Sequence, residues 1–418
     1  MYRGYERILN PWRLQMYLRR KGRYCRSLII KPFPEYHNLC EFLNMFNNFI
    51  SYHEENYPFD NFQEFSFTFY VLVSVDDVNN NFPHQQPANV IIRGKKRYYG
   101  TGGTILQTLR RFIRSLKCLK KFKLNNLLLE ANSDVGSCLE EVLEHSQDTL
   151  ESLECLNYTS HILPLYIVGL FSNLKQITIS SHSLSDDVLL LFANHTIYLK
   201  RLIIVQDELT IPYVCSTAAW IEVDKILYER TFEHSKWHVE MLMTGRCKCE
   251  PLWATAPAPI KSIIYETIFS KVNHSSIYTC LENYSKTLEI YAHLNSLCRV
   301  YIPKSFNERS DQSYIALVKN CKYLHTLAIR ERISTATCLL IVYYGVKNNL
   351  KQFYLRRNCV ILRNEYKMFI FSDDNNQTMH NWIETNCRAY DTVEYRVSEL
   401  LKRKWHMLSD HLYNKIKM

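Results

Sequence analysis

Glycine is scarce in this chain, with 10 residues among 418. An all-β fold rich in tight turns needs glycine where the backbone takes positive φ angles, so this scarcity disfavours such a fold. No run of about eighteen apolar residues occurs, and no signal peptide opens the chain, so we expect no membrane-spanning segment. The hydrophobic content of 47% still allows the chain to bury a large core.

The 14 cysteines lack the spacing of a disulfide framework. They are scattered singly along the chain, from Cys25 to Cys387. We therefore expect reduced thiols and a location in the cytosol, the nucleus or both. The Asn-x-Ser/Thr sequons, such as the one at Asn157, are then expected to be incidental.

Sequence motifs of known active sites are also missing. The chain has neither a Gly-x-Ser-x-Gly elbow nor a His-Glu-x-x-His zinc motif. The acidic pairs at 76–77, 186–187 and 373–374 lie where turns or helix starts explain them. We therefore predict no catalytic residue and no cofactor, and a protein that is not an enzyme.

One glycine cluster, from Gly100 to Thr104, precedes a predicted helix and resembles a phosphate-binding loop. It lacks the Gly-Lys-Ser/Thr ending of such a loop and the spacing of a dinucleotide fingerprint. We prefer the interpretation that it is an ordinary loop in which Thr104 caps the helix.

One group of residues has the composition of a zinc site. His234 and His238 would share one face of a helix, and Cys247 and Cys249 could complete a tetrahedron. The Cys-x-Cys spacing is tighter than usual for zinc. We prefer a helix with incidental histidines, so no metal site is predicted.

The formal net charge is +10. Basic residues are densest between Arg13 and Arg26 and at 93–97, and elsewhere they mix with acidic residues. A solvated surface explains this pattern better than a nucleic-acid site does, and nucleic-acid binding stays the alternative.

The informative feature that is present is an apolar hexamer that recurs about every 25 residues. Its first, fourth and sixth residues are apolar, and its copies begin at Leu119, Leu174, Leu199, Leu324 and Leu350. Weaker copies start at 150, 260 and 288. A spacing of 25 or 26 residues is the length of one leucine-rich repeat.

The repeat between Leu174 and Leu199 is the clearest. Ile177 and Ile179 alternate with polar residues, which predicts a half-buried strand. Ser185 is a predicted helix N-cap, and two aspartates follow it in the first turn. The ninth position, which holds a buried Asn in regular repeats, is Asn in the last copy, at Asn358, but not in most others. We therefore expect irregular strand geometry.

These patterns predict an α/β fold, an irregular leucine-rich-repeat horseshoe with one parallel strand per repeat and helices outside. Residues 1–60 would hold the segment before the solenoid and its first repeat, 61–370 the solenoid, and 371–418 a loop and a capping helix. Segments 79–87 and 372–378 are predicted loops. The capping helix is predicted from apolar residues at 393, 397, 400, 401, 405, 408 and 412, and a partner-binding helix is the alternative.

In each hexamer the third and fifth residues would point to the concave face. That face is the predicted binding surface for a protein partner, because it mixes polar side chains with a few apolar ones. Its candidate binding residues are Lys121, Lys123, Glu154, Gln176, Thr178, Arg201, Thr326, Gln352 and Tyr354.

The segments 173–209 and 314–355 resemble the leucine-rich-repeat part of F-box proteins, in particular the subgroup of F-box only proteins thirty-three and thirty-nine. The residues that carry this resemblance are 173–179, 184–187, 199–202, Trp220, 260–263 and 317–327. The resemblance implies a substrate adaptor of a Skp1–cullin–F-box (SCF) ubiquitin ligase. In such an adaptor the F-box holds Skp1, and the repeats hold the target protein.

The F-box itself is not found in this sequence. Residues from Asn10 to Ile30 resemble the segment that follows an F-box, and no Leu-Pro start precedes Trp12. Skp1 and cullin are therefore expected partners only if an F-box lies upstream. The alternative is a repeat scaffold for protein interaction without Skp1 binding.

Overall fold

The computed structural model describes residues 16–17, 20–31, 36–53, 62–69, 90–93, 96–129, 132–159, 161–196, 198–207, 213–230, 237–244, 258–267, 274–295, 306–365 and 376–418. Within them the protein has an α/β fold with a parallel sheet of eleven strands and eleven α-helices. The predicted fold class is thereby confirmed at this level. The loop predicted at 79–87 lies outside the described residues.

The strands are β1 (Ser27–Ile30), β2 (Glu64–Thr68), β3 (Val90–Arg93), β4 (Lys96–Tyr99), β5 (Lys121–Leu127), β6 (Ser152–Asn157), β7 (Gln176–Ser180), β8 (Arg201–Gln206), β9 (His238–Met243), β10 (Ile260–Tyr265), β11 (Ile290–His293), β12 (Thr326–Ile329), β13 (Ile333–Ser334), β14 (Gln352–Leu355) and β15 (Val360–Ile361). Strands β3 and β4 form a separate antiparallel pair, and β13 and β15 a separate parallel pair.

The α-helices are α1 (Tyr36–His53), α2 (Thr104–Arg114), α3 (Asn132–Ser146), α4 (Asp186–His195), α5 (Thr217–Arg230), α6 (His274–Tyr284), α7 (Asp311–Asn320), α8 (Thr335–Lys347), α9 (Asn376–Asn386), α10 (Tyr390–Leu401) and α11 (Asp410–Tyr413). Short 3-10 helices lie at Gly22–Tyr24, Tyr166–Leu170, Ser181–Ser183, Phe306–Glu308 and Arg357–Cys359.

The chain divides into two compact units. The first unit comprises 1–203, 209–215 and 222–237, and the second comprises 204–208, 216–221 and 238–418. In the first unit, β1, β2, β5, β6 and β7 pair in that order, all parallel. In the second unit, β9, β10, β11, β12 and β14 do the same.

Each strong hexamer copy coincides with a strand, as its period predicts. In the copy at Leu119, the first, fourth and sixth residues (Leu119, Phe122 and Leu124) are fully buried. Strand geometry sends alternate side chains to opposite faces, so these residues share the face that the helices cover. Phe112 of α2 packs on Phe65 of β2 with ring centroids 5.2 Å apart, and Phe65 lies 5.7 Å from Phe122. The apolar positions of the hexamer therefore build the core between strands and helices.

Helix starts follow the predicted chemistry at α4 but not at α2. The Ser185 hydroxyl accepts a hydrogen bond from the Val188 amide at 3.1 Å, as an N-cap should. At α2 the N-cap is Gly103 with φ 64°, and Thr104 is the first helical residue. The prediction that Thr104 is the cap is therefore wrong by one residue, because the backbone there takes a positive φ that glycine adopts without strain.

Varied side chains replace the missing Asn ladder at the strand ends of the first unit. Thr101 Oγ1 accepts from the Leu128 amide at 2.8 Å. Asn157 bonds both the amide and the carbonyl of Leu129 at 2.9 Å. The backbone amide of Asn157 donates in turn to Ser180 Oγ at 3.1 Å. Each bond satisfies a buried backbone group that leaves the sheet, which is the role of the ladder.

In the second unit a buried arginine has this role. Arg330 Nη1 donates to the carbonyls of Thr267 and Leu294, the latter at 2.9 Å, so it links chain segments that follow β10 and β11. The Arg330 carbonyl accepts from Cys359 Sγ at 2.7 Å. The predicted ladder residue Asn358 is exposed instead and donates to Asp410 at 3.1 Å. The Asn358 prediction is wrong because Cys359, one position later, points inward.

The C-terminal region differs from the single capping helix predicted for it. Helix α10 ends at Leu401, and Lys402 takes the left-handed conformation with φ 53°. Trp405 then stacks on Phe353 at 5.5 Å and 8°, and Leu408 forms a parallel bridge with Arg356. The predicted loop at 372–378 is also partly helical, because α9 begins at Asn376.

Candidate protein-binding face

The face of the first unit's sheet that the third and fifth hexamer residues share is called the open face here. Strand register aligns these residues in two rows. The third-position row runs Glu64, Lys121, Ser152, Gln176, and the fifth-position row runs Ser66, Lys123, Glu154, Thr178. Adjacent parallel strands lie about 4.8 Å apart, so neighbours in a row can contact each other.

A further row lies where these strands begin. It consists of the second hexamer residues, Lys120, Glu151, Lys175 and Lys200. Backbone hydrogen bonds link each residue of the row to the next. The amide of Glu151 donates to the carbonyl of Lys120, that of Lys175 to the carbonyl of Glu151, and that of Lys200 to the carbonyl of Lys175, at 2.8–2.9 Å. We call this the edge row. It lies along the amino-terminal ends of the strands.

Ion pairs fix several of these side chains. Lys123 Nζ lies 2.9 Å from Glu154 Oε2, and Asn125 donates to Glu154 Oε1 at 2.6 Å. Lys175 Nζ lies 3.0 Å from Glu151 Oε2, and this hydrogen bond lowers the pKa of the Glu151 carboxyl. Such exposed pairs contribute little to stability, but they orient the charges that a partner would meet.

Most predicted binding residues of the first unit lie on this face and are accessible. Lys121 is exposed, and Lys123, Glu154, Gln176 and Arg201 are partly exposed. Thr178 is the exception. It lies at the predicted position but is only 5% exposed, so little of its side chain is accessible to a partner.

In the second unit the corresponding positions are largely covered. The fifth residues of its strands are apolar, and Ile264, Ala292 and Ala328 form a buried cluster together with Leu294. Ile416, near the C-terminus, packs against this cluster, as do Leu242, Ile290 and Tyr354. We call the segment 409–418 the C-terminal tail.

The tail is anchored at two points before it reaches this cluster. Asp410 Oδ2 accepts from Arg356 Nη2 at 2.7 Å, and this bond lowers the pKa of the Asp410 carboxyl. Tyr413 is fully buried, and its hydroxyl donates to the His293 carbonyl at 2.6 Å. The tail is thus an integral part of the second unit.

Of the three predicted binding residues of the second unit, only Gln352 is exposed. Thr326 is 4% exposed and bonded to neighbouring side chains, so little of its side chain is accessible to a partner. Gln352 is exposed, and Tyr354 is partly buried and donates to Gln352 Oε1 at 3.3 Å. The sequence prediction missed the tail because Tyr413 and Ile416 do not fall at the spacing of the predicted capping helix. These two large apolar residues, three positions apart, are the signal that could have found it.

A buried polar cluster lies at the ends of β11 and β12. His293 Nδ1 bonds the Tyr314 hydroxyl at 3.2 Å, and burial lowers the pKa of His293 well below its ordinary value. The nearby positive charge of Arg330 adds to this shift. The cluster is closed to solvent, so we assign it to the core and not to a site.

The zinc arrangement considered above does not hold as a helix. His238 begins strand β9, and its Nε2 lies 3.1 Å from Glu240 Oε1. His234, Cys247 and Cys249 lie outside the described residues. Among the residues that the structure describes, no group of three His, Cys, Asp or Glu side chains could hold a metal ion. At the glycine cluster, Thr101 bonds the Leu128 backbone in both directions, so this residue serves as a strand-end link.

The chain matches no protein-family model and no curated protein sequence. Over the described part of the chain, none of the helices combines the length and the apolar content needed to cross a membrane.

Proposed function

We propose that this protein is a non-catalytic recognition subunit of the leucine-rich-repeat class, which binds a target protein through the open face of its first unit. The observation that carries the proposal is that face itself. A run of parallel strands presents polar and charged side chains there, of which Lys121 is exposed and most others are partly exposed, whereas the fifth-position row of the second unit is apolar and largely buried.

A sheet face of this kind suits protein recognition for a physical reason. Its side chains project from hydrogen-bonded strands, so the backbone that carries them loses little further entropy when a partner binds. Recognition on such a face requires no cofactor.

We further propose that the target is delivered to an SCF-type ubiquitin ligase. The support is the resemblance of segments 173–209 and 314–355 to F-box repeat proteins. Such ligases work in the cytoplasm and nucleus. In that assembly the chain contributes binding, and the associated enzymes carry out the ubiquitin transfer.

Purification of the full gene product from its native cells, followed by detection of Skp1 and cullin, tests this assignment. Recovery of both, together with a protein that is ubiquitylated only when this chain is present, is the expected result. Recovery of a binding partner without Skp1 would instead support the second candidate, a scaffold for protein interaction outside ubiquitin ligases. A substitution at Gln176, such as Gln176→Trp, should reduce recovery of the partner in either case.

A further inference from the structure

We infer that the segment bound by the first unit is acidic and extended, and that it lies across the strand starts along the edge row. This inference rests on the proposed function and names the chemical class of its partner. It follows from the charges on the face, from their spacing and from their accessibility.

The charge on this part of the first unit is strongly unbalanced. The edge row, the two open-face rows and Arg201, the first residue of β8, together carry six basic and three acidic side chains. These are Lys120, Lys121, Lys123, Lys175, Lys200 and Arg201 against Glu64, Glu151 and Glu154. Two of the acids are already paired, Glu151 with Lys175 and Glu154 with Lys123.

Three lysines of this set are free to meet a partner. Lys120, Lys121 and Lys200 are exposed and have no ion-pair partner within the described ranges. Excess positive charge on one side of a face attracts acidic partners and speeds their association.

The equivalent rows of the second unit show that this excess is local. They contain two basic residues that are charged at neutral pH, Lys261 and Lys351, and two acids, Glu240 and Glu289. Lys261 lies 2.8 Å from Glu289, so it is already paired. The net charge of the whole chain is thus not spread evenly over its strand starts.

The spacing of the basic side chains defines the ligand. From Lys121 to Arg201 is three strand steps, or about 14 Å at about 4.8 Å a step. An extended peptide rises about 3.4 Å per residue, so acidic residues four positions apart would reach both ends.

A protein segment fits this face better than a nucleic acid does. Glu151 lies in the middle of the edge row, and Glu154 lies beside it on the open face, where both would repel a continuous phosphate backbone. A peptide can place uncharged residues opposite these two carboxylates.

The direct test measures binding of a fluorescent twelve-residue peptide of alternating Glu and Ala to the purified chain. The wild-type protein should bind this peptide with an affinity that falls as the salt concentration rises. The double variant Lys121→Glu with Lys200→Glu should bind it about tenfold more weakly. The matched control is the double variant Lys225→Glu with Lys286→Glu. It changes net charge equally, at an exposed helix position and an exposed turn position, and should change affinity less than about twofold. Circular dichroism checks that both variants fold.

Equal weakening in both double variants would overturn the inference, because only net charge would then matter. Tighter binding of single-stranded DNA of the same charge would also overturn it. The proposed function has a separate readout. If Gln176→Trp reduces recovery of the cellular partner while the lysine variants do not, the acidic class is wrong and the recognition face stands. If neither affects recovery, both fail.

Discussion

The hydroxyl of Tyr413 donates a hydrogen bond at 2.6 Å to the backbone carbonyl of His293, a residue 120 positions earlier in the chain. Tyr413 is fully buried, and Ile416 three residues later packs on the apolar cluster of the second unit. Together with the ion pair between Arg356 and Asp410, this contact holds the tail against the second unit. It explains why the second unit has little free sheet face.

Tyr413→Phe should destabilise the second unit by about 1–3 kcal/mol. The variant removes one hydroxyl and leaves the buried carbonyl of His293 without this donor, while the volume of the side chain changes little. Urea denaturation followed by fluorescence measures the loss. The control is Tyr395→Phe, because Tyr395 lies on α10 and is 66% exposed. This variant should leave the midpoint of urea denaturation unchanged. Equal stability of both variants would show that the tail is not held by this bond.

Arg330→Met should lower the free energy of unfolding by about 3 kcal/mol or more, because its guanidinium donates to the backbone carbonyls of Thr267 and Leu294 inside the protein. Thermal unfolding of the variant measures this loss. Arg388→Met removes an exposed ion pair to Glu384 and should change stability by less than about 0.5 kcal/mol. If Arg330→Met were as stable as the wild type, the strand-end role assigned to Arg330 would be wrong.

Acid should destabilise the first unit through His182. Burial lowers the pKa of His182 to about 4, whereas an unfolded histidine titrates near 6.5. Between pH 6.5 and 4 the unfolded chain binds a proton that the folded chain does not. The free energy of unfolding therefore falls as pH drops from 6.5 to 4, and His182 alone contributes a loss of about 3 kcal/mol. Above pH 7 the titration of His182 does not change stability.

His182→Leu should remove this contribution. The free energy of unfolding, measured by urea titration at several pH values, should fall less steeply for the variant between pH 6.5 and 4. Other buried histidines, such as His293, add their own dependence to both proteins, so the difference between the two curves is the relevant quantity. Parallel curves would contradict the assignment.

The strands of this fold were predictable because burial on one face enforces a period of two. Ile177 and Ile179 are fully buried, as their alternation requires. The period of 25 or 26 residues likewise predicted that strands and helices would alternate along a parallel sheet. Local chemistry predicted the Ser185 cap equally well, since its bond to Val188 spans only three residues.

What failed depended on contacts between residues far apart in the chain. Thr326 is a polar residue at a face position, and nothing near it in the sequence indicates that it is buried. Trp405 has the spacing of a helical residue, but its indole Nε1 donates to the Phe353 carbonyl at 2.7 Å, outside any helix. The same limit applies to the candidate site. Its residue positions were predictable from strand alternation, whereas their accessibility was not.

The central claim, that the open face of the first unit binds a protein, is tested most directly by site-specific photo-crosslinking in native cells. A benzoylphenylalanine at Gln176 should give a discrete adduct of higher mass, which an excess of unlabelled protein competes away. The same group at Tyr228, which is 75% exposed on helix α5 of the same unit, should give no such adduct. An adduct from Tyr228 but not from Gln176 would contradict the account.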